Sequence, residues 1–368
     1  MKGLRLYLPP FAPDTSGAAA VLYPLGGMVV IVDAGGCAGN ICGFDEPRWQ
    51  DEGTKSAVFS AGLRDMDAIM GRDDKLIEKV RLACEEIDAH FIAFIGTPVP
   101  AVIGTDYRAL TRMAKKATGL PAIAIDSDGT KLYDTGGGKA LLALCRTFAR
   151  PSDQAGASLA GSAEGVEGTE SPATIGLLGL TPLDFSTGEA RRLETALREE
   201  GWSSVCRYDR LTDFTQHRCR KNLVVSPLGL PAARYLAAHC GIPYEIGLPP
   251  AFRNELLAAA APLLQDLPAE SRVLIVHQQI LANGLREALR EAGHRGAITC
   301  ATFFQQEAAW GQIGDAALTE EDEFQQFVAD GHFAAIIGDP SLRRALPDWR
   351  GQFLPLPHFA IAGTATAS

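Results

Sequence analysis

Cys37 and Cys42 are the side chains best placed to do chemistry. In Gly26-Gly-Met-Val-Val-Ile-Val-Asp-Ala-Gly-Gly-Cys37-Ala-Gly-Asn-Ile-Cys42-Gly43, an apolar run ends at Val32 and a glycine-rich turn then carries both sulfurs. A thiolate is both a nucleophile and a metal ligand. Two thiolates are half of the set that a tetrahedral zinc ion or an iron–sulfur cluster takes. Either other cysteines or a second chain complete the set, or the pair is two reduced thiols in a tight turn. Gly36, Gly39 and Asn40 are the candidate cofactor-contacting positions. Small residues leave room for a bulky group, and backbone N–H groups donate to sulfur.

Other reactive types lie further along. Asp45-Glu46-Pro47-Arg48-Trp49 follows the thiol turn directly. Arg48 could bind an anionic substrate group, or pair internally with Asp45 or Glu46. His277 and His358 follow apolar runs at expected cleft edges, and His358 is a candidate proton donor near neutral pH. Asp65 and Asp67 could act as acids or simply open a helix. Cys219 lies between Arg218 and Arg220, cations that would lower its pKa in a solvent-exposed setting. Cys84, Cys145, Cys206, Cys240 and Cys300 read as small core or structural residues. Asp134-Thr-Gly-Gly-Gly-Lys139-Ala140 imitates a phosphate loop but lacks its first Gly, at Tyr133, and its final hydroxyl, at Ala140. It reads as a glycine helix entry, so no ATP is expected on this chain.

These groups need elements to hold them. Met28–Val32, Phe91–Ile95 and Ala122–Ile125 read as buried strands, with helices over Asp73–Asp88 and Asp106–Thr118 between them. Strands are also expected at Thr174–Leu178, Val205–Tyr208, Asn222–Ser226, Arg272–His277 and Phe333–Gly338. Strand–helix alternation implies parallel sheets covered on both faces. Ligands in such sheets sit beyond the carboxyl ends of strands, which is where Val32 delivers the thiol turn. Phe91-Ile-Ala-Phe-Ile-Gly-Thr-Pro98 is echoed by Phe333-Ala-Ala-Ile-Ile-Gly-Asp-Pro340, and Gly119-Leu-Pro121 by Gly241-Ile-Pro243. The expected fold is α/β, with three Rossmann-like α/β/α units. Their expected spans are 1–150 with the thiol turn, 173–267, and 268–368. Residues 151–172, small and polar without period, read as a flexible linker.

The chain has 368 residues, 46% of them hydrophobic, which is enough for several cores. A net charge of −10 argues against nucleic acid as a partner. The apolar stretch Ala18–Val32 is broken by Pro24, Gly26 and Gly27, short of the ~20 residues a spanning helix needs. No membrane association is expected, and the reading is a cytoplasmic protein. Eight scattered Cys are too few for a disulfide scaffold.

Pro10-Phe-Ala-Pro-Asp-Thr-Ser-Gly17, the Gly-Gly-Cys37-Ala-Gly-Asn turn and Ile103-Gly-Thr-Asp106 together resemble the nitrogenase component 1 type oxidoreductases. The resemblance extends through Asn222–Ser226, Tyr235–Tyr244 and Leu356-Pro-His358-Phe-Ala-Ile-Ala-Gly363. It implies three Rossmann-like domains, a cluster at a subunit interface, and an ATP-dependent iron–sulfur reductase as electron donor. Cys37 matches one bridging-cluster ligand of the family. A second ligand position reads Thr97-Pro98, and a third, near Pro10–Ala18, has no Cys. Cys42 is an addition. Two copies would supply four thiolates from Cys37 and Cys42, the count for one [4Fe–4S] cluster, in a homodimer or a paralogous heterodimer. Where nitrogenase holds its large cofactor through Cys and His, this chain has Ser226 and, one place out, His358. The resemblance therefore implies a nitrogenase-like oxidoreductase component that reduces a small molecule or a tetrapyrrole-like substrate. The alternative is a non-catalytic scaffold for a metal cofactor or its precursor.

Overall fold

The computed structural model describes residues 5–42, 46, 48, 56–62, 73–150, 173–215, 219–264 and 267–363. The expected linker 151–172, and Asp45, Trp49, Asp65, Asp67 and Arg218, lie outside the described residues.

Three parallel sheets organise the chain, in agreement with the expected α/β class. The first contains β1 (Met28–Ile31), β2 (Ala57–Ser60), β3 (Ile92–Ile95) and β4 (Ala122–Ile125), in the order β2-β1-β3-β4. The second contains β5 (Thr174–Leu178), β6 (Ser204–Cys206), β7 (Cys219–Val224) and β8 (Tyr244–Ile246), in the order β6-β5-β7-β8. The third contains β9 (Val273–Val276), β10 (Ile298–Thr302), β11 (Ala316–Ala317), β12 (Ala335–Gly338) and β13 (Gln352–Pro355), in the order β11-β10-β9-β12-β13. β1, β3, β9 and β12 are buried at every position, because helices cover both faces of the sheet.

Local chemistry sets the helix ends. Asp106 accepts from the N–H groups of Arg108 and Ala109 at 2.9 and 3.0 Å, and so starts helix Tyr107–Thr118. Gly119, at φ +75°, closes it in the left-handed region. Ser186 and Glu189 form a reciprocal capping box on helix Thr187–Glu199. Glu320 opens helix Glu321–Gly331 in the same way.

The glycine run 136–138 is a packing device. It lies inside helix Tyr133–Phe148. A Cβ on Gly136 would sit 1.8 Å from the Asp14 carbonyl oxygen, and one on Gly17 would sit 1.8 Å from that of Tyr133. The glycines let helix Tyr133–Phe148 cross helix Asp14–Leu22 with their backbones in contact.

Each sheet has one switch point, where consecutive connections leave a central strand in opposite directions. It lies between β1 and β3 in the first, β5 and β7 in the second, and β9 and β12 in the third. The residues just beyond those strand ends are the ones positioned for function.

Candidate functional site

The first switch point carries the thiol turn. After β1, Asp33 is buried and its carboxylate ties the turn down. It accepts from the Ala38 N–H at 2.9 Å and from the Ser60 hydroxyl, beyond β2, at 2.6 Å. Gly35 takes φ +121°, a conformation other residues avoid, and lets the chain turn into the short helix Gly36–Asn40. From the far side of the switch point, Thr97 donates its hydroxyl to the Val32 carbonyl at 2.8 Å and lies near enough to Cys37 to lower its pKa. Thr97, beside the position where the resemblance implies a second cluster ligand, therefore lies next to Cys37.

Cys37 and Cys42 are both half-buried and free. Beyond Cys42 the Glu46 N–H reaches back to the Ile41 carbonyl at 3.0 Å, a wide turn of the kind found at functional sites. Burial and then the Asp33 carboxylate raise the Cys37 pKa; burial and then Glu46 raise that of Cys42. Bound positive charge would offset both anions. Gly36, Gly39 and Asn40 are exposed, and a Cβ on either glycine would touch nothing within 4 Å. Among the described residues no group of three His, Cys, Asp or Glu is arranged to hold a metal ion. The donor set fits half of a cluster site and no more. Beside it, helix Pro98–Ile103 exposes Val99, Ile103 and, at 86%, Val102. Clustered exposed aliphatics of this kind mark interaction surfaces.

Arg48 is committed internally. It forms a salt bridge with buried Glu46 at 2.7 Å and donates to the Ala20 carbonyl at 2.7 Å. Of the two readings of this arginine, the structure supplies the internal pair. Arg48 also lines a cavity of about 60 Å³ between the first and second sheets, together with Thr181 and Arg207. Small-molecule sites commonly occupy ~300–1,000 Å³, so this space holds a few waters or a small anion, not a tetrapyrrole.

The second and third switch points face each other and enclose a buried polar centre. Asp184 follows β5 and Ser226 follows β7. His277 follows β9, Asp339 follows β12 and His358 follows β13. The side chains of His358 and Asp184 are both 0% exposed, and His358 Nε2 lies 3.1 Å from Asp184 Oδ1. The Tyr133 hydroxyl donates to the same oxygen. The rings of His277 and His358 stack with centroids 4.1 Å apart, and Phe304 packs edge-on at 4.9 Å. Asp339 accepts from the His358 backbone N–H at 2.9 Å. Asp184 Oδ2, Ser226 Oγ and His358 Nδ1 have no hydrogen-bond partner.

This centre corrects the expected role of His358. Burial lowers its pKa to about 3, so at neutral pH the imidazole is neutral and sealed from solvent. Burial likewise drives His277 well below its usual value, so neither ring sits at an open cleft edge. The same burial raises Asp184 to about 6 and Tyr133 well above its usual range. Sequence reasoning missed Asp184 and Tyr133. Asp184 had a usable signal in Gly179-Leu-Thr-Pro-Leu-Asp184, a glycine turn directly after an apolar strand.

Cys219 also departs from expectation. It lies at the start of β7, half-buried, and the hydrogen bond from Cys206, then that from Tyr208, lowers its pKa. The expected strand Val205–Tyr208 runs instead from Ser204 to Cys206, because Tyr208 takes φ +56° and leaves the sheet.

A family model described as "Nitrogenase component 1 type Oxidoreductase" matches residues 14–253. The chain belongs to this family. Among curated relatives, the "Nitrogenase iron-molybdenum cofactor biosynthesis protein NifE" of Klebsiella pneumoniae is 32% identical over 122 residues. That stretch is 31% of this chain and 25% of the relative. The protein of the same name from Methanococcus maripaludis is 31% identical over 128 residues, 34% of this chain and 26% of the relative. The matched segments thus span about a quarter of those proteins. The solved structure titled "Nitrogenase Cp1 at pH 6.5" superposes with a TM-score of 0.66 at 12% identity, over 98% of this chain and 88% of that one. A second, "Nitrogenase Cp1 at pH 5", gives 0.56 at 16% identity over 90% and 72%. At these identities the likeness establishes the fold. Among the described residues no helix is long and apolar enough to cross a membrane.

Proposed function

We propose that this chain is the electron-accepting component of a nitrogenase-like reductase, with Cys37 and Cys42 as its half of an interfacial iron–sulfur site. The observation that carries the reading is two half-exposed thiols, held by Asp33 and Thr97 at the first switch point, beside the apolar helix Pro98–Ile103. Two copies of the turn supply four thiolates, the set for a [4Fe–4S] cluster. A paralogous partner with two cysteines would serve equally. A bound cluster would supply one-electron transfer, the electrons coming from a separate ATP-dependent iron–sulfur reductase. The chain's own residues hold the thiols, offer the N–H groups of Gly36, Gly39 and Asn40 to sulfur, and exclude water through the apolar helix. The substrate is a small molecule met on this face or on a partner, and the setting is cytoplasmic.

A second reading is favoured by the names of the relatives. Those proteins are named for iron-molybdenum cofactor biosynthesis, and the family resemblance places a cofactor Cys where this chain has Ser226. On that reading the chain holds a metal cofactor or precursor without turnover.

The test is iron and acid-labile sulfide per chain, with an electron paramagnetic resonance spectrum, on anaerobically purified protein beside Cys37→Ala and Cys42→Ala. The expected result is about two irons per chain, lost in both variants, for one bridging four-iron cluster. Iron retained in both variants, or absent from the wild type, refutes the site. Adding the reductase and ATP then separates the readings: turnover supports the first, stoichiometric binding without turnover the second.

A further inference from the structure

Four of the eight cysteines lie away from the thiol turn in sealed or singly packed positions, but Cys206 and Cys219 form a pair. They sit on β6 and β7, on either side of β5, each thiol near enough to shift the titration of the other. Gly176 on β5 makes room for the group around them. A Cβ there would lie 2.1 Å from Asn222 Oδ1 and 2.8 Å from the Tyr208 ring. Tyr208 holds φ +56°, a strained conformation for a bulky residue, and its hydroxyl bonds Asn222 Oδ1 at 2.9 Å and lies 3.9 Å from Cys219 Sγ. Asn222 is fully buried, yet its amide nitrogen has no partner. Strain and an unpartnered buried amide at one place are typical of a site rather than of a core.

We propose that Cys206 and Cys219 form a two-thiolate site for a soft, thiophilic cation of the copper(I) type. The sheet order argues against a disulfide. Two strand spacings of ~4.8 Å set the backbones of β6 and β7 roughly 9–10 Å apart, beyond the ~7 Å between Cα atoms that a disulfide tolerates. A metal bridge, with a bond to each sulfur, spans what a direct sulfur–sulfur bond cannot. Zinc would want four ligands, and no third His, Cys, Asp or Glu among the described residues completes such a set. Copper(I) is selected by soft sulfur ligands and accepts low coordination. Asp213 adds negative potential near both thiols, although it is itself paired with Arg210 at 3.4 Å. Binding forms two sulfur–metal bonds and releases the thiol protons to solvent; no electron changes hands. Both thiols are half-buried, and β6 is an edge strand, which leaves a route for entry.

The test uses the full chain carrying Cys37→Ser and Cys42→Ser, so that the thiol turn cannot compete. Copper(I) is titrated anaerobically against a chromophoric copper(I) chelator. The expected uptake is one equivalent, abolished by adding either Cys206→Ser or Cys219→Ser. A second readout needs neither of these two variants: bound copper(I) should slow alkylation of Cys206 and Cys219 together, to the level of buried Cys145, as read by peptide mass spectrometry. No uptake, uptake that survives both serine variants, or protection of only one of the two thiols overturns the proposal.

Discussion

Asp184→Asn isolates the energetics of the buried centre. Burial raises the Asp184 pKa from 3.8 to about 6. A group whose folded pKa is raised binds its proton more tightly when folded. Its contribution is fully present below the unfolded pKa, near 4, and is lost as pH rises through 6. The full swing of about two pKa units is about 3 kcal/mol, and between pH 7.5 and pH 4.5 about 2 kcal/mol of it is recovered. Asparagine keeps the shape and cannot titrate. Of the other buried titrating groups, Asp134 and His277 are both raised by the Asp184 charge, so removing it lowers both and moves the difference in the same direction. Urea unfolding at a series of pH values should therefore show wild type gaining about 2 kcal/mol on Asp184→Asn as pH falls from 7.5 to 4.5. A difference that stays constant with pH, or shifts the other way, refutes the assignment of a raised pKa to this carboxylate. The converse variant, His358→Gln, should have the opposite sign. Burial depresses His358 from 6.5 to about 3, so its contribution is present above pH 6.5 and fades toward pH 3. The wild type should thus lose stability on acidification relative to that variant.

Three further outcomes follow from the packing. Gly176→Ala forces a Cβ to 2.1 Å from Asn222 Oδ1 and should destabilise the second sheet by about 1–3 kcal/mol in denaturant titration. Val102→Asp, at a position 86% exposed, should leave unfolding unchanged and shift a self-associating sample toward monomer in sedimentation. Glu321 accepts the N–H groups of Leu6, Tyr7 and Leu8 at 3.1, 3.0 and 2.7 Å, so Glu321→Ala should speed limited proteolysis near residues 5–8 several-fold.

The strands at Ala122–Ile125 and Thr174–Leu178 were legible because apolar runs flanked by turn residues have few other homes. Their order was not, since switch points arise from the path of the whole chain. The thiol turn was legible because the glycines around Cys37 and Cys42 are local. Asp184, Tyr133 and His358 come from positions far apart in sequence, and no local pattern joins them. His358 was recognised as chemically able, but burial reversed its role. A sequence shows that an imidazole is available; only packing shows that its charged form has been made too costly. The same holds for Cys219, where flanking arginines gave the expected direction of the pKa shift and a neighbouring thiol supplied its cause.

The three switch points are built differently, and that difference narrows where the proposed reduction would occur. In sheets two and three they point at one another, and His277, Asp184, Tyr133 and Phe304 pack the space between. Ser226, at the position where the family resemblance places a cofactor Cys, and His358, one place out from that of the His, meet there as fully buried side chains. One is a hydroxyl in place of a thiolate. The other has its Nε2 engaged with Asp184. A large metal–sulfur group would have to displace several buried aromatic rings, each worth ~3–5 kcal/mol as core packing. The first switch point points outward, with half-exposed thiols and open space over its glycines. On the proposed reading, substrate chemistry would therefore belong at the thiol face and whatever docks on it. If turnover is found, substrate protection should map to helix Pro98–Ile103 and the Cys37 turn, with the Tyr133–Asp184 centre unchanged in hydrogen exchange. Protection at that centre instead would mean that the three sheets part to admit the substrate.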